Sequence, residues 1–196
     1  MIKLYSSATS ADSHRTRIVL AEKELPGEVI DVDPEHVPEA LLERNLSGKL
    51  PTIEDRDTVL FEASVVNEYL DERYPHPPLK PGSPAERAQM RLAVLRIEQE
   101  LYPLFENFDA TGGKGDSKAK LEEYLEAIDT HLSRQPYFVG ECYTLADITM
   151  APILWRLKSK MDMGKWSHLE GYMDRLFERP AFERALSEHE QMLNQY

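Results

Sequence analysis

Hydroxyl side chains are concentrated just before and at the start of the first predicted helix, where they could take part in nucleophilic chemistry. They are Tyr5, Ser6, Ser7, Thr9, Ser10 and Ser13. In a turn that leads into a helix, however, such hydroxyls more often cap the helix or form the turn. No cysteine lies among them, so cysteine-type thiol chemistry is not expected in this region.

Leu50-Pro51-Thr52 places a proline at the start of a predicted strand, where proline is tolerated. The Leu50–Pro51 bond is a candidate cis peptide bond, which would leave the N–H and C=O groups of Leu50 able to pair with an extended peptide. The alternative is an ordinary trans proline at the end of a strand.

Four prolines fall within the seven residues 75–81, in the segment Pro75-His-Pro-Pro-Leu-Lys-Pro81. Because proline fixes φ and lacks an N–H donor, neither flanking helix can continue through this segment, which is predicted to be extended and stiff. It is therefore the predicted boundary between two domains, and it is expected to present His76 and Leu79 to solvent. The alternative is a linker that only connects the domains.

Other chemical sites find little support in the sequence. The six histidines show no spacing that puts two of them on one helical face, so no metal site and no cofactor are predicted. No nucleophile elbow or phosphate-binding glycine loop is present. Cys142, the single cysteine, is interpreted as structural. Arg15 and Arg17 are expected on a solvated helix face or at a partner contact.

Composition and charge narrow the possible partners. The formal net charge of −12 in 196 residues repels phosphate, which argues against direct nucleic-acid binding and favours a partner protein with a basic face. No apolar run approaches the length of a membrane-spanning helix. The absence of a signal-peptide pattern and the single cysteine lead us to expect a cytoplasmic protein that contacts no membrane.

Alternating strand and helix patterns in the first half predict one small mixed sheet with helices packed on it, in the order βαβαββα. The second half is predicted to be all helix. Two capping boxes, Ser83–Glu86 and Thr144–Asp147, mark helix starts, and Pro103 is expected to kink the first of these helices. The last predicted helices cover 166–178 and 181–193. The predicted domains are 1–76 and 84–196, joined by the linker 77–83.

These motifs together resemble the glutathione transferase superfamily, with residues 2–74 similar to its thioredoxin-like half and 84–193 similar to its all-helical half. Within the superfamily the chain is most similar to the stringent starvation protein A family of RNA polymerase-associated proteins. The matching segments, spread over nearly the whole chain, include Ser13-His14, Arg17–Lys23, Glu68–Leu79, Pro136–Phe138, Leu154–Leu157 and Phe177–Arg179.

The superfamily resemblance implies a glutathione site built from Ser10, Leu50, Pro51, Glu62 and Ala63. Transferases of this superfamily use a Tyr, Ser or Cys near the first helix to activate the glutathione thiol. Glutathione-binding members also have a serine after the acidic residue that opens the third helix, and this chain has Ala63 there. Ser64 is turned roughly 100° further around the helix and is a poor substitute. We therefore expect a vestigial site without a catalytic residue.

The narrower resemblance implies that Pro75, His76, Pro77, Pro78 and Leu79 form part of an exposed pocket that contacts the transcription machinery. Ser83 stands where the commoner family pattern has a tyrosine, so the resemblance implies a different far edge of the pocket. The superfamily further implies a homodimer.

Two functional hypotheses follow. The first is a non-enzymatic, homodimeric regulator that binds RNA polymerase holoenzyme, through its sigma factor or a core subunit, during starvation or stress. The second is an active glutathione transferase in which an early Ser or Tyr hydroxyl activates glutathione. A scaffold for some other protein shares the evidence of the first hypothesis.

Overall fold

The computed structural model describes residues 1–193 and divides into two compact units. The first unit contains residues 1–78 and also 179–193, and the second contains Leu79–Glu178. The predicted boundaries assigned 84–196 to the helical domain. In the structure the last two helices belong instead to the unit that contains the sheet, and residues 194–196 lie outside the described part.

The elements follow the predicted βαβαββα order in the first half and are helical afterwards. The strands are β1 Ile2–Ser6, β2 Gly27–Asp31, β3 Thr52–Asp55 and β4 Thr58–Phe61. The helices are α1 Ala11–Glu22, α2 Glu39–Leu42, α3 Ala63–Arg73, α4 Pro84–Arg96, α5 Tyr102–Thr111, α6 Ser117–Leu132, α7 Leu145–Lys158, α8 Ser167–Phe177, α9 Pro180–Arg184 and α10 Glu188–Leu193. None of the described helices is long and apolar enough to cross a bilayer.

The sheet has the strand order β2-β1-β3-β4. β1 runs parallel to β2 and antiparallel to β3, and β3 forms an antiparallel pair with β4. Leu4 and Ile53 are opposite each other in the register and both are buried. This arrangement confirms the predicted fold class, an α/β sheet domain combined with a helical region.

Helix α1 is buried along almost its whole length, from Ser13 to Leu20. It contacts α3 and also α9, which comes from the far end of the chain. Arg15 and Arg17 were expected on a solvated helix face or at a partner contact. The solvated face is wrong, because both side chains are buried within the chain itself. The reason is a long-range contact that local spacing does not reveal.

Both predicted capping boxes are present in the second unit, at the starts of α4 and α7. The carboxylate of Asp147 is fully buried there and accepts hydrogen bonds from the N–H groups of Phe138 and Thr144 and from the Tyr172 hydroxyl. Burial raises the pKa of Asp147, and the hydrogen bonds act against that rise. The capping box therefore also joins α7 to α8 and to the loop before it.

The interruption expected at Pro103 is a π-helical turn, Ile97–Leu101, between α4 and α5. Proline has no N–H to donate in the middle of a helix, and a single π turn within the helix accompanies the break here. Ile97 and Leu101 remain buried through the turn.

The helix predicted over 181–193 is two helices, α9 and α10, separated by residues 185–187. The N–H of Ser187 donates to the Glu190 carboxylate at 2.9 Å, and the N–H of Glu190 donates to Ser187 Oγ at 3.2 Å. These reciprocal bonds are a third capping box, Ser187–Glu190, which starts α10 independently of α9.

Candidate functional site

The prolyl-histidyl segment, Pro75–Pro78, follows directly after α3 and its cap residue Tyr74, and all four of its residues are exposed. The His76–Pro77 peptide bond is cis. An imidazole held between prolines has little backbone freedom to lose when a partner binds, so this segment is suited to protein recognition.

A buried lysine supports the segment from below. Lys23 Nζ lies 2.5 Å from Asp71 Oδ1 and also donates a hydrogen bond to the carbonyl oxygen of Pro77. Lys23 and Asp71 are both buried. The ion pair thus joins the end of α1 to α3 and fixes one carbonyl of the prolyl-histidyl segment.

The beginning of the segment is also fixed, through Asp55 at the end of β3. The hydroxyls of Tyr69 and Tyr74 donate to Asp55 Oδ2 at 2.9 and 3.1 Å. Burial, followed by the hydrogen bond to Asp55, raises the pKa of both tyrosines. Both phenols therefore stay protonated and keep donating at neutral pH.

The expectation that Leu79 is presented to solvent is wrong, because only 2% of it is exposed. Its carbonyl accepts a hydrogen bond from the N–H of Leu145, at the start of α7, at 2.9 Å. Leucine is apolar and packs into the second unit once the prolines end. Among the five residues of the sequence-based site, Leu79 is an anchor and the other four form the exposed surface.

Part of the implied glutathione site, Pro51 and Glu62, comes together at one end of the sheet. Thr52 pairs with Tyr5 on β1 and with Phe61 on β4. Pro51, directly before Thr52, therefore lies near Ser6 on one side and Glu62 on the other. The Leu50–Pro51 bond is cis, and no hydrogen bond to the backbone of Leu50 is made by any residue within 1–193.

Helix α3 begins with Ala63 at this end of the sheet. The residue before it, Glu62, has a left-handed backbone conformation (φ 67°). The carboxylate of Glu62 pairs with Lys49. Ala63 is buried and has no hydroxyl. The first N–H groups of α3 have no acceptor within the helix and can still donate hydrogen bonds to an anion.

The early hydroxyls have structural roles. Ser10 caps α1 by accepting a hydrogen bond from the N–H of Ser13 at 3.3 Å, and Ser13 Oγ accepts from the N–H of Ser7 at 2.9 Å. Ser6 Oγ accepts from Arg17 Nη1 at 2.6 Å. Burial, followed by the charge of Glu54, raises the pKa of Tyr5. A phenol with a raised pKa is less ready to act as an anion.

Sequence reasoning missed a buried charge cluster formed by His14, Arg17 and Glu190. Glu190 lies 2.6 Å from Arg17 Nη2 and 3.3 Å from His14 Nδ1. Burial acts to raise the pKa of Glu190, but the hydrogen bond from His14 and the charges of His14 and Arg17 outweigh it and lower the pKa to about 2. The only local sequence signal for this cluster was the capping-box spacing of Ser187 and Glu190.

The second unit carries a groove of about 710 Å³ between α4 and α6, here called the α4–α6 groove. It is bordered by charged groups at Glu86, Arg96 and Glu100. Leu92 on its rim is 60% exposed and Leu95 on the same helix is 44% exposed. Its other lining residues are mainly apolar, including Ala93, Tyr124, Ala127, Ile128, Phe138 and Val139. An apolar surface of this kind is typical of a protein interface.

The single cysteine and the possible metal ligands were also considered in the sequence. Cys142, interpreted as structural, is an exposed free thiol, so that interpretation is wrong. Within residues 1–193 no three His, Cys, Asp or Glu side chains come close enough together to hold a metal ion.

Comparison with known proteins gives matches over most of the chain. Residues 9–73 match the glutathione S-transferase N-terminal domain, and residues 92–180 match the glutathione S-transferase C-terminal domain. A stringent starvation protein A homolog of Pasteurella multocida is 42% identical over 95% of this chain and 90% of its own length. The corresponding Coxiella burnetii homolog is 38% identical over 100% of this chain and 96% of its own.

Solved structures agree with the sequence matches. A glutathione transferase from Methylococcus capsulatus superposes with a TM-score of 0.84 at 26% identity, covering 98% of this chain and 100% of that one.

Proposed function

The chain belongs to the stringent starvation protein A family within the glutathione S-transferase superfamily, and we propose that it is a non-enzymatic transcription regulator that binds RNA polymerase holoenzyme during starvation or stress. The partner surface is the prolyl-histidyl segment, with Leu79 as its buried anchor. Acting on polymerase, the protein works in the cytoplasm.

The observation that carries this proposal is the exposed prolyl-histidyl segment held by the buried Lys23–Asp71 pair. Pro75, His76, Pro77 and Pro78 are exposed, while the Pro77 carbonyl is fixed from inside the fold. A rigid surface loses little conformational entropy on binding. The net charge of −12 favours a basic face on the sigma factor or a core subunit of polymerase, and disfavours direct contact with nucleic acid.

The state of the glutathione site supports a role without catalysis. The hydroxyl of Ser10 caps α1, and the hydroxyls of Ser6 and Ser13 accept hydrogen bonds inside the first unit. Ala63 lies where the superfamily resemblance implies a serine in glutathione-binding members. We therefore propose that Ser10, Leu50, Pro51, Glu62 and Ala63 are a vestigial site with no catalytic residue.

The protein also acts as a homodimer in this proposal. In the superfamily the first half of one subunit packs against the helical half of the other, and a two-fold interface would present the prolyl-histidyl segment twice. The exposed Leu92 and Leu95 beside the α4–α6 groove supply an apolar surface for that contact.

Co-purification with polymerase tests the main proposal. The tagged protein is expected to retain RNA polymerase holoenzyme from stressed cells, and a variant with His76→Ala and Pro77→Ala is expected to lose it. Arg134→Ala, at an exposed position in the second unit, is the matched control and should bind as the wild type does. Failure of the wild type to retain polymerase would refute the proposal.

One observation favours a second candidate, a glutathione transferase. The backbone of Leu50 and the first turn of α3 retain groups that could hold a peptide backbone and a carboxylate. Retention on immobilised glutathione together with conjugation of an aromatic halide would support this candidate. If conjugation then disappeared in Ser10→Ala, a hydroxyl-activated enzyme would replace the regulator as the better account.

A further inference from the structure

Strand β2 is an edge strand with one open side. It pairs with β1 along Gly27–Asp31, and it is the first strand in the sheet order. Four of its five residues are exposed, and no backbone or side-chain hydrogen bond from within residues 1–193 reaches its outer edge. An edge strand presents a row of N–H and C=O groups that another extended chain can pair with.

A cleft of about 410 Å³ opens beside this edge. Leu20, Leu25 and Val29 give it apolar walls, and Gly27 also lines it. Since side chains alternate along a strand, Gly27, Val29 and Asp31 share the face toward the cleft, and Glu28 is on the opposite face. A strand added to β2 could therefore place one side chain in the cleft.

The apolar walls of the cleft favour an apolar side chain at that point. Its charged lining residues are Arg17, Arg184 and Glu24. Arg17 is paired with Glu190, and Arg184 donates to the carbonyl of Ala21 at 3.1 Å. An aliphatic side chain in the cleft would contact the leucines and the valine.

The charges along the edge select a basic partner. Residues 24–43 contain no lysine or arginine and seven acids, namely Glu24, Glu28, Asp31, Asp33, Glu35, Glu39 and Glu43. Like charges on facing strands are destabilising, so the β2 edge of a second copy would be repelled. An extended segment that carries lysine or arginine is attracted by the same charges.

We propose that the outer edge of β2 binds an extended, basic segment of a partner protein by strand addition, with one aliphatic side chain of the segment in the cleft. On the face of the added strand that points away from the cleft, the side chains are lysine or arginine. These cations lie beside Glu28. This surface shares no residue with the prolyl-histidyl segment, and it does not depend on the proposed polymerase contact.

The test uses the purified full chain and a fluorescent peptide of alternating lysine and valine, with binding followed by anisotropy. Amide NMR signals of residues 27–31 are expected to shift on titration. Glu28→Lys with Asp31→Lys should weaken binding by about tenfold or more, because the acid that faces the peptide's lysines and a second acid of the same strand both become cations. Glu123→Lys with Glu170→Lys, two exposed acids of the second unit, makes the same charge change away from the edge and should bind as the wild type does.

Two altered peptides keep the test decisive even if the β2 variant does not fold. A peptide of the same sequence with N-methylated amides cannot donate ladder hydrogen bonds, and it is expected not to bind. A peptide of alternating glutamate and valine is also expected not to bind. The proposal would be overturned if the N-methylated peptide bound as tightly as the unmodified one, or if the control variant lost as much affinity as the β2 variant. NMR shifts confined to residues outside 27–31 would also overturn it. Self-association of the wild type through β2 would overturn it as well.

Discussion

Lys23 caps the C-terminal end of α1, where its ammonium group contacts both the Asp71 carboxylate and the carbonyl of Pro77. Both charged side chains are buried. Removing one partner of such a pair leaves a buried charge, whereas replacing both with apolar residues can be nearly neutral for stability. This difference separates the role of Lys23 in folding from its role in holding the prolyl-histidyl segment.

We predict that Lys23→Met alone lowers the free energy of unfolding by about 3–5 kcal/mol. Lys23→Met with Asp71→Leu should recover most of this stability but still lack the hydrogen bond to the Pro77 carbonyl. Polymerase binding by the double variant is therefore expected to stay weakened. Urea denaturation and binding measured on the same samples check both parts, and full recovery of binding would show that Lys23 does not position the segment.

In our proposal Ala63 deprives the vestigial glutathione site of one hydroxyl. Ala63→Ser restores a hydroxyl at the first position of α3, and a hydrogen bond to a charged carboxylate contributes about 1.5–3 kcal/mol. We expect glutathione to bind this variant at least tenfold more tightly than it binds the wild type, as measured by calorimetry.

Ser64→Ala is the control for this prediction and should leave glutathione binding unchanged, because Ser64 lies on another side of the helix. If Ala63→Ser bound glutathione no more tightly than the wild type does, loss of the hydroxyl at position 63 would not explain weak glutathione binding.

At the scale of elements, α10 is held by its own capping box and by the buried cluster of His14, Arg17 and Glu190. Glu190 has its pKa lowered to about 2 by that cluster, against the opposing effect of burial. A carboxyl group with a lowered pKa stabilises the fold above its unfolded pKa of about 4.5, and this contribution is lost as the pH falls toward 2.

We therefore predict that Glu190 contributes about 3 kcal/mol to the free energy of unfolding at neutral pH. In Glu190→Gln that contribution should be absent at pH 7, and the remaining stability should vary less between about pH 4.5 and pH 2 than in the wild type. Urea denaturation across this pH range measures both quantities. Parallel pH dependence in the two proteins would contradict the assigned role of Glu190.

Local patterns predicted the elements well where the cause is local. The Ser83–Glu86 and Thr144–Asp147 boxes place helix starts correctly, because a cap depends on residues three positions apart. The Ser187–Glu190 box has the same form and could have been found. The burial of Arg17 could not have been predicted from local patterns, since its partner Glu190 is 173 residues away in sequence. Leu79 was misjudged because its burial depends on the second unit around it.

At the scale of the whole molecule, the proposed dimer depends on the apolar surface at Leu92 and Leu95. Leu92→Glu with Leu95→Glu is expected to raise the dimer dissociation constant by at least a hundredfold, because each buried leucine contributes about 1.5–3 kcal/mol. Analytical ultracentrifugation measures the change. Met192→Glu alters an exposed apolar residue of α10 and should leave the dimer intact, so an unchanged dimer in the leucine variant would place the interface elsewhere.

The central claim is that an exposed, rigid prolyl-histidyl segment on a glutathione transferase fold contacts RNA polymerase. The most direct measurement is the affinity of the purified protein for purified polymerase holoenzyme, compared between the wild type, His76→Ala with Pro77→Ala, and the control Arg134→Ala. The account predicts that wild type and control bind alike, while the double variant binds at least tenfold more weakly and unfolds at the same temperature. Equal affinity of all three proteins, or no binding by the wild type, would contradict it.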